Sequence, residues 1–356
     1  CNGIHHKIQI SSKDLDYLPE MIRVTEEPVM ASSLSLYKIM KEASKQVDVF
    51  LTGDGGNNIY NHLYPVCEIH KYIKNFPWIL RKSIYKINFK IAKMFDSQRL
   101  WELSYPLHAF SYKDMYSDFY KNLTCYRHFS KSQRKRLLKK EFFTKFHENN
   151  MIGHIPIRKE NFPDDLINAR FVYGVMQYVS TFHEKFAKDL NIKLFPVYQN
   201  QEIMNFLCSL PYEQLNKGNT FQLLTNKALR MPFKKSILSK IFGNNFVYSS
   251  GQPFDQPFHS WFEERPEIVK VLFKRLEKRG WYNPDYLKKL YKEHKKQYQH
   301  DKIYCQLSNH GYRIMTLLSL EVWCTEFLDR FTGDSKKQII PLEEYLSQPI
   351  RLKNEN

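Results

Sequence analysis

The chain has 356 residues and a formal net charge of +17, with 42% hydrophobic and 26% charged residues. This composition is typical of a folded globular protein and excludes a disordered chain, and the length allows two domains. No uncharged apolar stretch approaches the roughly 20 residues that a bilayer span needs, so no membrane partner is expected. The first residues, Cys1 to His6, lack the apolar segment of a signal peptide.

The first 65 residues predict alternating strands and helices. Residues 7–10 are a strand candidate, and Ser11 is a candidate N-cap for a helix with apolar Leu15, Leu18, Met21 and Ile22 on one face. A second helix is predicted over 32–46, with Leu36, Ile39, Met40 and Ala43 on its apolar face. A strand over 47–51 follows. This order is typical of an α/β domain with a parallel sheet.

From residue 66 onward the chain is basic, aromatic and helical in its periodicity. Two domains are therefore predicted: an α/β portion over 1–65 and a large, mostly α-helical region over 66–356. Helices are expected over 79–94, 130–147, 165–189, 201–209, 220–230, 264–277, 284–298 and 309–331.

The predicted strand ends in a glycine-rich turn that reads Thr52-Gly-Asp-Gly-Gly-Asn-Asn58. Glycine lets backbone N–H groups approach a ligand closely, and open α/β sheets bind ligands just past the carboxyl ends of their strands. Asp54 is the only carboxylate of this turn. It is either a ligand-site residue or a turn residue that bonds its own backbone.

Cysteine spacing and charge point to no metal site and to no nucleic-acid module. No two of the six cysteines form a CxxC pair, so neither a zinc site nor a disulfide framework is expected, and idle thiols suit a reducing cytoplasm. The densest basic run, over 131–140, is interpreted as a solvated helix face. A nucleic-acid partner is not expected, although the net charge keeps it as a third hypothesis.

Five blocks occur in the order and spacing of one enzyme family. They are His5-His6, Asp16-Tyr-Leu-Pro19 with Glu26-Glu27-Pro28, Val49 to Asn58, Gly280 to His294, and Arg313 to Trp323. Together they resemble the synthetase domain of glutamine-hydrolysing asparagine synthetases, and the similarity spans nearly the whole chain.

This resemblance implies a fold, a reaction and a set of ligands. The fold is a partial adenine-nucleotide hydrolase-like parallel sheet, and the reaction is ATP-dependent amide ligation. A carboxylate is adenylated with ATP and Mg²⁺, and ammonia or an amine then attacks. The acyl substrate is expected to be aspartate or a peptide carboxylate. Thr52, Gly53, Asp54 and Gly55 are expected on the ATP side, with Asp54 also as a catalytic residue.

The family's pyrophosphate loop, Ser-Gly-Gly-x-Asp-Ser, does not occur in residues 1–356. The sequence is therefore expected to be a fragment that lacks this loop and the glutaminase domain, or to receive the loop from a separate chain. Cys1 is not expected to be the glutaminase nucleophile, because the residues around it match the synthetase domain.

Other positions depart from the family pattern. Asn57 and Asn58 occupy the positions of an Asp-Glu pair in the family, and Gly251 occupies the position of the family's catalytic lysine. In the segment around Pro196, Glu, Arg and Asp become Ile192, Leu194 and Gln199. His183 and Glu184 are interpreted as ordinary polar residues of a helix.

These departures leave two principal functions open. The first is an asparagine synthetase-related ligase that is incomplete in this chain and inactive alone. The second is a non-catalytic homologue that acts as a binding or scaffold partner.

Overall fold

The computed structural model describes residues 4–29, 33–55, 64–95, 97–116, 128–129, 131–143, 157–169, 180–210, 256–297, 309–329 and 339–350. These residues are mostly helical and include one sheet of two parallel strands. The helices are α1 (Leu18–Thr25), α2 (Ser33–Ala43), α3 (Tyr64–Ile73), α4 (Trp78–Phe95), α5 (Gln98–Phe110), α6 (Lys131–Leu137), α7 (Phe162–Ala169), α8 (Thr181–Asp189), α9 (Gln201–Ser209), α10 (Phe258–Glu264), α11 (Pro266–Arg279), α12 (Pro284–Gln297), α13 (His310–Trp323) and α14 (Leu342–Tyr345). The strands are β1 (Val49–Thr52) and β2 (Lys193–Pro196).

The chain begins its folded part as the sequence predicts, with a helical turn capped at Ser11. The Ser11 backbone N–H donates to Asp14 Oδ2 at 2.7 Å, and a 3₁₀ turn over Ser12–Tyr17 leads into α1. The predicted apolar face is confirmed, because Leu15, Leu18, Met21 and Ile22 are all fully buried.

Two details of the first 65 residues differ from the prediction. Residues 7–10 are not a strand, because no strand of the described residues pairs with them. In α2 the fully buried side chains are Leu34, Tyr37 and Met40, whereas Leu36 is only partly buried. The buried face of α2 therefore differs from the predicted one, because the Tyr37 ring packs edge-on against Phe186 of α8, with ring centroids 4.9 Å apart.

The sheet joins two distant parts of the chain. β1 and β2 pair in parallel, with Leu51 opposite Phe195 and Thr52 opposite Pro196. The predicted strand at 47–51 is thus confirmed with a small shift, while β2 lies in the region predicted to be helical. The sheet is smaller than an adenine-nucleotide hydrolase-like fold, which stays a prediction.

One face of the sheet packs against the main core, and the other face is exposed. Phe50 and Leu194 are register partners that pack against the main core, beside α1, α2 and α8. On the opposite face Leu51 and Phe195 are 66% and 53% exposed. Parallel sheets usually carry cover on both faces, so this apolar face is unusual.

The two largest hydrophobic cores of the described residues organise most of the helices. The main core contains Leu15 and Tyr37 from the first 65 residues and Leu272 and Leu318 from the C-terminal helices. A second core lies among α3, α5 and α7. The domain boundary at residue 65 stays a prediction. No helix among the described residues has the length and apolar character required to cross a bilayer.

Candidate functional site

The candidate site lies at the carboxyl end of β1, in the turn that the sequence singled out. Thr52 is buried, and its hydroxyl donates to Asp54 Oδ2 at 2.9 Å. The Asp54 backbone N–H lies 3.5 Å from the same hydroxyl. Thr52 therefore fixes the direction of the Asp54 carboxylate, which remains partly exposed.

Gly53 and Gly55, the two described glycines of the turn, have different structural roles. Gly55 has a φ of 94°, in the left-handed region that favours glycine, so it permits the turn itself. At Gly53 an added Cβ would meet no atom of the described residues within 4 Å. Among those residues, the backbone of Gly53 is therefore open beside Asp54.

Helix α8 brings a histidine to this turn. The helix ends at Asp189, and Asn191 follows with a φ of 54°. The chain then reverses into β2, where the Lys193 N–H donates to Asp48 O at 2.8 Å. Because α8 runs back along the strands, its first turn lies at their carboxyl edge. His183 is buried in that first turn, and its Nδ1 lies 2.6 Å from Asp54 Oδ2.

The Asp54–His183 pair has a defined electrostatic character. Burial alone would raise the pKa of Asp54, but the hydrogen bond with His183, the charge of that ring and the bond from Thr52 together lower it. Asp54 is therefore a carboxylate at neutral pH and accepts the Nδ1 proton of His183. In the neutral ring this tautomer leaves Nε2 as a base. Among the described residues, neither His183 Nε2 nor Asp54 Oδ1 has a hydrogen-bond partner.

A second polar contact closes the same edge of the sheet. The Gln199 amide donates to Ser180 Oγ at 2.7 Å and can accept from it at 3.0 Å. Ser180 immediately precedes α8, so this contact ties the segment after β2 to the start of that helix. Gln199, where the resemblance implies a carboxylate, makes a neutral structural contact here.

The remaining departures divide into two groups. Ile192 is buried and Leu194 packs against the main core, so these positions serve the core rather than the site. Asn57, Asn58 and Gly251 lie outside the described residues. Glu184 is exposed on α8, as expected of an ordinary helix residue.

The donor set fits a nucleotide better than a metal ion held by protein alone. The described residues contain no group of three or more His, Cys, Asp or Glu side chains that could hold a metal ion. Mg²⁺ is commonly bound through one or two carboxylates together with substrate phosphates. Asp54, with its Oδ1, could supply one such ligand, and the open side of Gly53 allows a phosphate or ribose to approach the backbone.

The described residues are mostly helical, and this turn lies at the carboxyl edge of their two-stranded parallel sheet, where open α/β sheets bind ligands. Residues 1–189 of the 356 match the sequence model of the asparagine synthase family, described as asparagine synthase. The chain therefore belongs to this family, which implies an ATP-dependent amide ligase with an aspartate-type substrate. Searches with the chain find no significant match among curated proteins and none among solved structures.

Proposed function

We propose that this chain carries the amide-forming part of an asparagine synthetase-related ligase. Such a ligase couples ATP to adenylation of a carboxylate, as in aspartate or a peptide, and ammonia or an amine then displaces AMP. The observation that carries the proposal is the 2.6 Å contact between Asp54 and His183 at the carboxyl edge of the sheet.

The pair supplies a base for the second step. When the amine nitrogen bonds to the acyl carbon, it must lose a proton, and we assign His183 Nε2 as the atom that accepts it. Asp54 holds the ring through Nδ1 and stabilises the imidazolium that forms. Thr52 in turn holds Asp54, so the three side chains form one oriented series.

The nucleotide is assigned to the other side of the same turn. Thr52, Gly53, Asp54 and Gly55 form the ATP side, where the backbone at Gly53 is open. ATP also needs a cradle for its phosphates, and no Ser-Gly-Gly-x-Asp-Ser segment occurs in residues 1–356. The bare apolar face of the sheet, with Leu51 and Phe195, offers a surface for a further segment or a separate chain that brings this loop.

The alternative is a non-catalytic homologue that binds without turnover. It is favoured by Ile192 and Leu194, which are apolar and turned to the core where the family has charged residues. Both functions predict ligand binding at the turn, and only the ligase predicts chemistry there.

ATP–pyrophosphate exchange with aspartate and other carboxylates separates the two. We expect exchange when a segment with the Ser-Gly-Gly-x-Asp-Ser loop is supplied. The segment, taken from the coding sequence nearest to that of this chain, is either fused upstream or added as a second polypeptide. We expect Asp54→Asn to lower amide formation at least about tenfold, because it weakens the hold on His183.

Asp48→Asn is the matched control, since Asp48 is an exposed carboxylate at the other end of β1. Failure of exchange in every preparation, with ATP still bound in calorimetry, would contradict the ligase and support the non-catalytic homologue.

A further inference from the structure

Helix α4 carries an apolar stripe that is exposed among the residues the structure describes. Leu80, Ile87 and Met94 are spaced by seven residues, which places them on one line along the helix. Their exposed fractions are 45%, 59% and 69%. Phe95, next to Met94 at the C-terminal end of the helix, is also exposed, at 68%. Scattered exposed apolar residues are normal, but an aligned set of this kind is not.

A basic stripe runs beside the apolar one. Lys82, Lys86, Lys90 and Lys93 recur every three or four residues and are all exposed. The 18 residues of α4 contain no Asp or Glu. The outer face of α4 is therefore part apolar and part cationic, and the helix itself supplies no acidic residue to neutralise it.

The inner face fixes the orientation of these stripes. Asn88 is buried and donates to Leu100 O at 3.0 Å and to Ser104 Oγ at 2.7 Å, both on α5. Arg81 is buried at the other end, where its Nη2 donates to Tyr112 O at 3.1 Å. Because these polar contacts anchor α4 to its neighbours, the exposed stripes are a fixed feature of the surface.

We propose that the outer face of α4 docks on the surface of a bilayer that contains anionic lipids. The helix would lie flat, with its 18 residues spanning about 27 Å. Its apolar side chains would enter the acyl boundary, and the lysines would extend toward anionic headgroups. The sequence predicts no membrane partner because nothing spans a bilayer, but a helix in the interface needs no span.

The shape and the rings at the helix start favour this occupant over a protein or a nucleic acid. The stripe is a convex ridge on one helix, whereas an amphipathic partner helix needs a groove. Nucleic-acid backbones would use the lysines but leave the apolar stripe unexplained. Trp78 is exposed at the N-terminal end of α4 and Tyr72 is exposed near the end of α3, and Lys82 Nζ lies 5.2 Å from the Trp78 ring centroid, as suits the headgroup level.

Vesicle flotation with the full chain tests the proposal. The probes are phosphatidylcholine vesicles with and without phosphatidylglycerol, at physiological salt. We expect the chain to float with the anionic vesicles and to bind the neutral ones more weakly. The triple variant Leu80→Gln, Ile87→Gln, Met94→Gln keeps the net charge and should bind at least about tenfold more weakly, since the apolar contact is lost.

A matched pair of charge variants separates the helix from general basicity. Lys86→Gln, Lys90→Gln, Lys93→Gln should weaken binding by a factor on the order of 100, about fivefold for each lysine. Lys288→Gln, Lys292→Gln, Lys296→Gln on α12 removes the same charge and should leave binding nearly unchanged. Circular dichroism confirms that each variant is folded.

Three results would overturn the proposal. They are the absence of binding to anionic vesicles by the wild-type chain, equal binding by the apolar triple variant, and an equal loss with the α12 control. Capture of an acidic protein by α4 without vesicle binding would likewise replace the membrane with a protein partner.

Discussion

Two charged clusters of this molecule look alike in composition and differ in what they leave open. One is the pair at the end of β1, formed by Asp54 and His183. The other lies among the C-terminal helices, where Arg275 and Arg279 of α11 meet Glu321 and Asp329. Both join an anion to a nitrogen donor inside the fold.

The C-terminal cluster is closed. Its four side chains are between 1% and 6% exposed, and two positive charges face two negative ones. Arg275 Nε donates to Glu321 Oε1 at 2.6 Å, and Arg279 Nη2 donates to Asp329 Oδ2 at 2.7 Å. Arg275 also donates to Thr325 Oγ1 at 2.7 Å. A network satisfied in this way holds elements together and has little left to offer a ligand.

The pair at β1 is open by comparison. Asp54 uses Oδ2 for both of its bonds, and its side chain keeps 22% of its surface exposed. His183 uses Nδ1, and its Nε2 bonds to none of the described residues. The comparison shows that hydrogen-bonding atoms left without a partner among the described residues, rather than charge, distinguish a candidate site from a structural network.

The largest effect is expected when the closed network is broken. Glu321→Gln keeps the shape but leaves Arg275 and Arg279 with one anion between them. We expect the free energy of unfolding to fall by about 3 to 5 kcal/mol, because buried charge is then uncompensated. Urea unfolding followed by circular dichroism measures the change.

Glu277→Gln is the control, since Glu277 is exposed on α11. A loss below about 1 kcal/mol for Glu321→Gln would show that the network is not structural in this sense.

Removing His183 Nε2 should lower the rate of amide formation more than it lowers stability. His183→Asn retains an N–H donor near the Nδ1 position and removes the Nε2 base. In the ligase preparation that supports exchange, we expect amide formation to fall on the order of 100-fold while ATP–pyrophosphate exchange persists. Glu184→Gln, on the same helix and exposed, should change neither rate. An equal fall in both rates for His183→Asn would contradict a role limited to the amine step.

The charge of Asp54 should appear as a smaller, pH-dependent contribution to stability. Asp54→Asn is expected to lower the free energy of unfolding by about 1.5 kcal/mol at pH 7, because a charge-assisted hydrogen bond is lost. The folded pKa of Asp54 is lowered, so this contribution is present above the unfolded pKa. It is lost as the pH falls through the folded pKa, which lies below 3.8. Unfolding curves from pH 7 to acid should therefore converge for the two proteins, and a constant difference would refute the assignment.

Local patterns in the sequence predict much of the helical structure. The Ser11 cap and the Leu15 face of α1 follow from neighbouring residues alone, as do the bounds of α9 and α12 within a few residues. The Gly-rich turn after β1 is also local. Such features depend on capping, periodicity and glycine, which act over a few residues.

Features set by distant contacts could not be predicted in the same way. β2 has only four residues with alternating exposure, and its partner β1 lies far away in the sequence. His183 meets Asp54 across 129 residues. One signal was present, because Phe182, His183 and Phe186 share the buried side of α8, and a histidine buried there needs a polar partner.

The smallest effect on stability is expected for substitution of Gly53. Because the fold should survive this change, it gives a direct test of ligand binding beside Asp54 and His183. An added Cβ meets no atom of the described residues within 4 Å, so Gly53→Ala should change the free energy of unfolding by less than about 1 kcal/mol in either direction. Gly55→Ala is the contrast, since its φ of 94° predicts a loss of about 1 to 2 kcal/mol. If a nucleotide approaches this backbone, Gly53→Ala should weaken ATP binding in calorimetry although the fold is intact. Unchanged ATP affinity in a stable Gly53→Ala protein would move the nucleotide away from the turn and leave Asp54 and His183 without their proposed ligand.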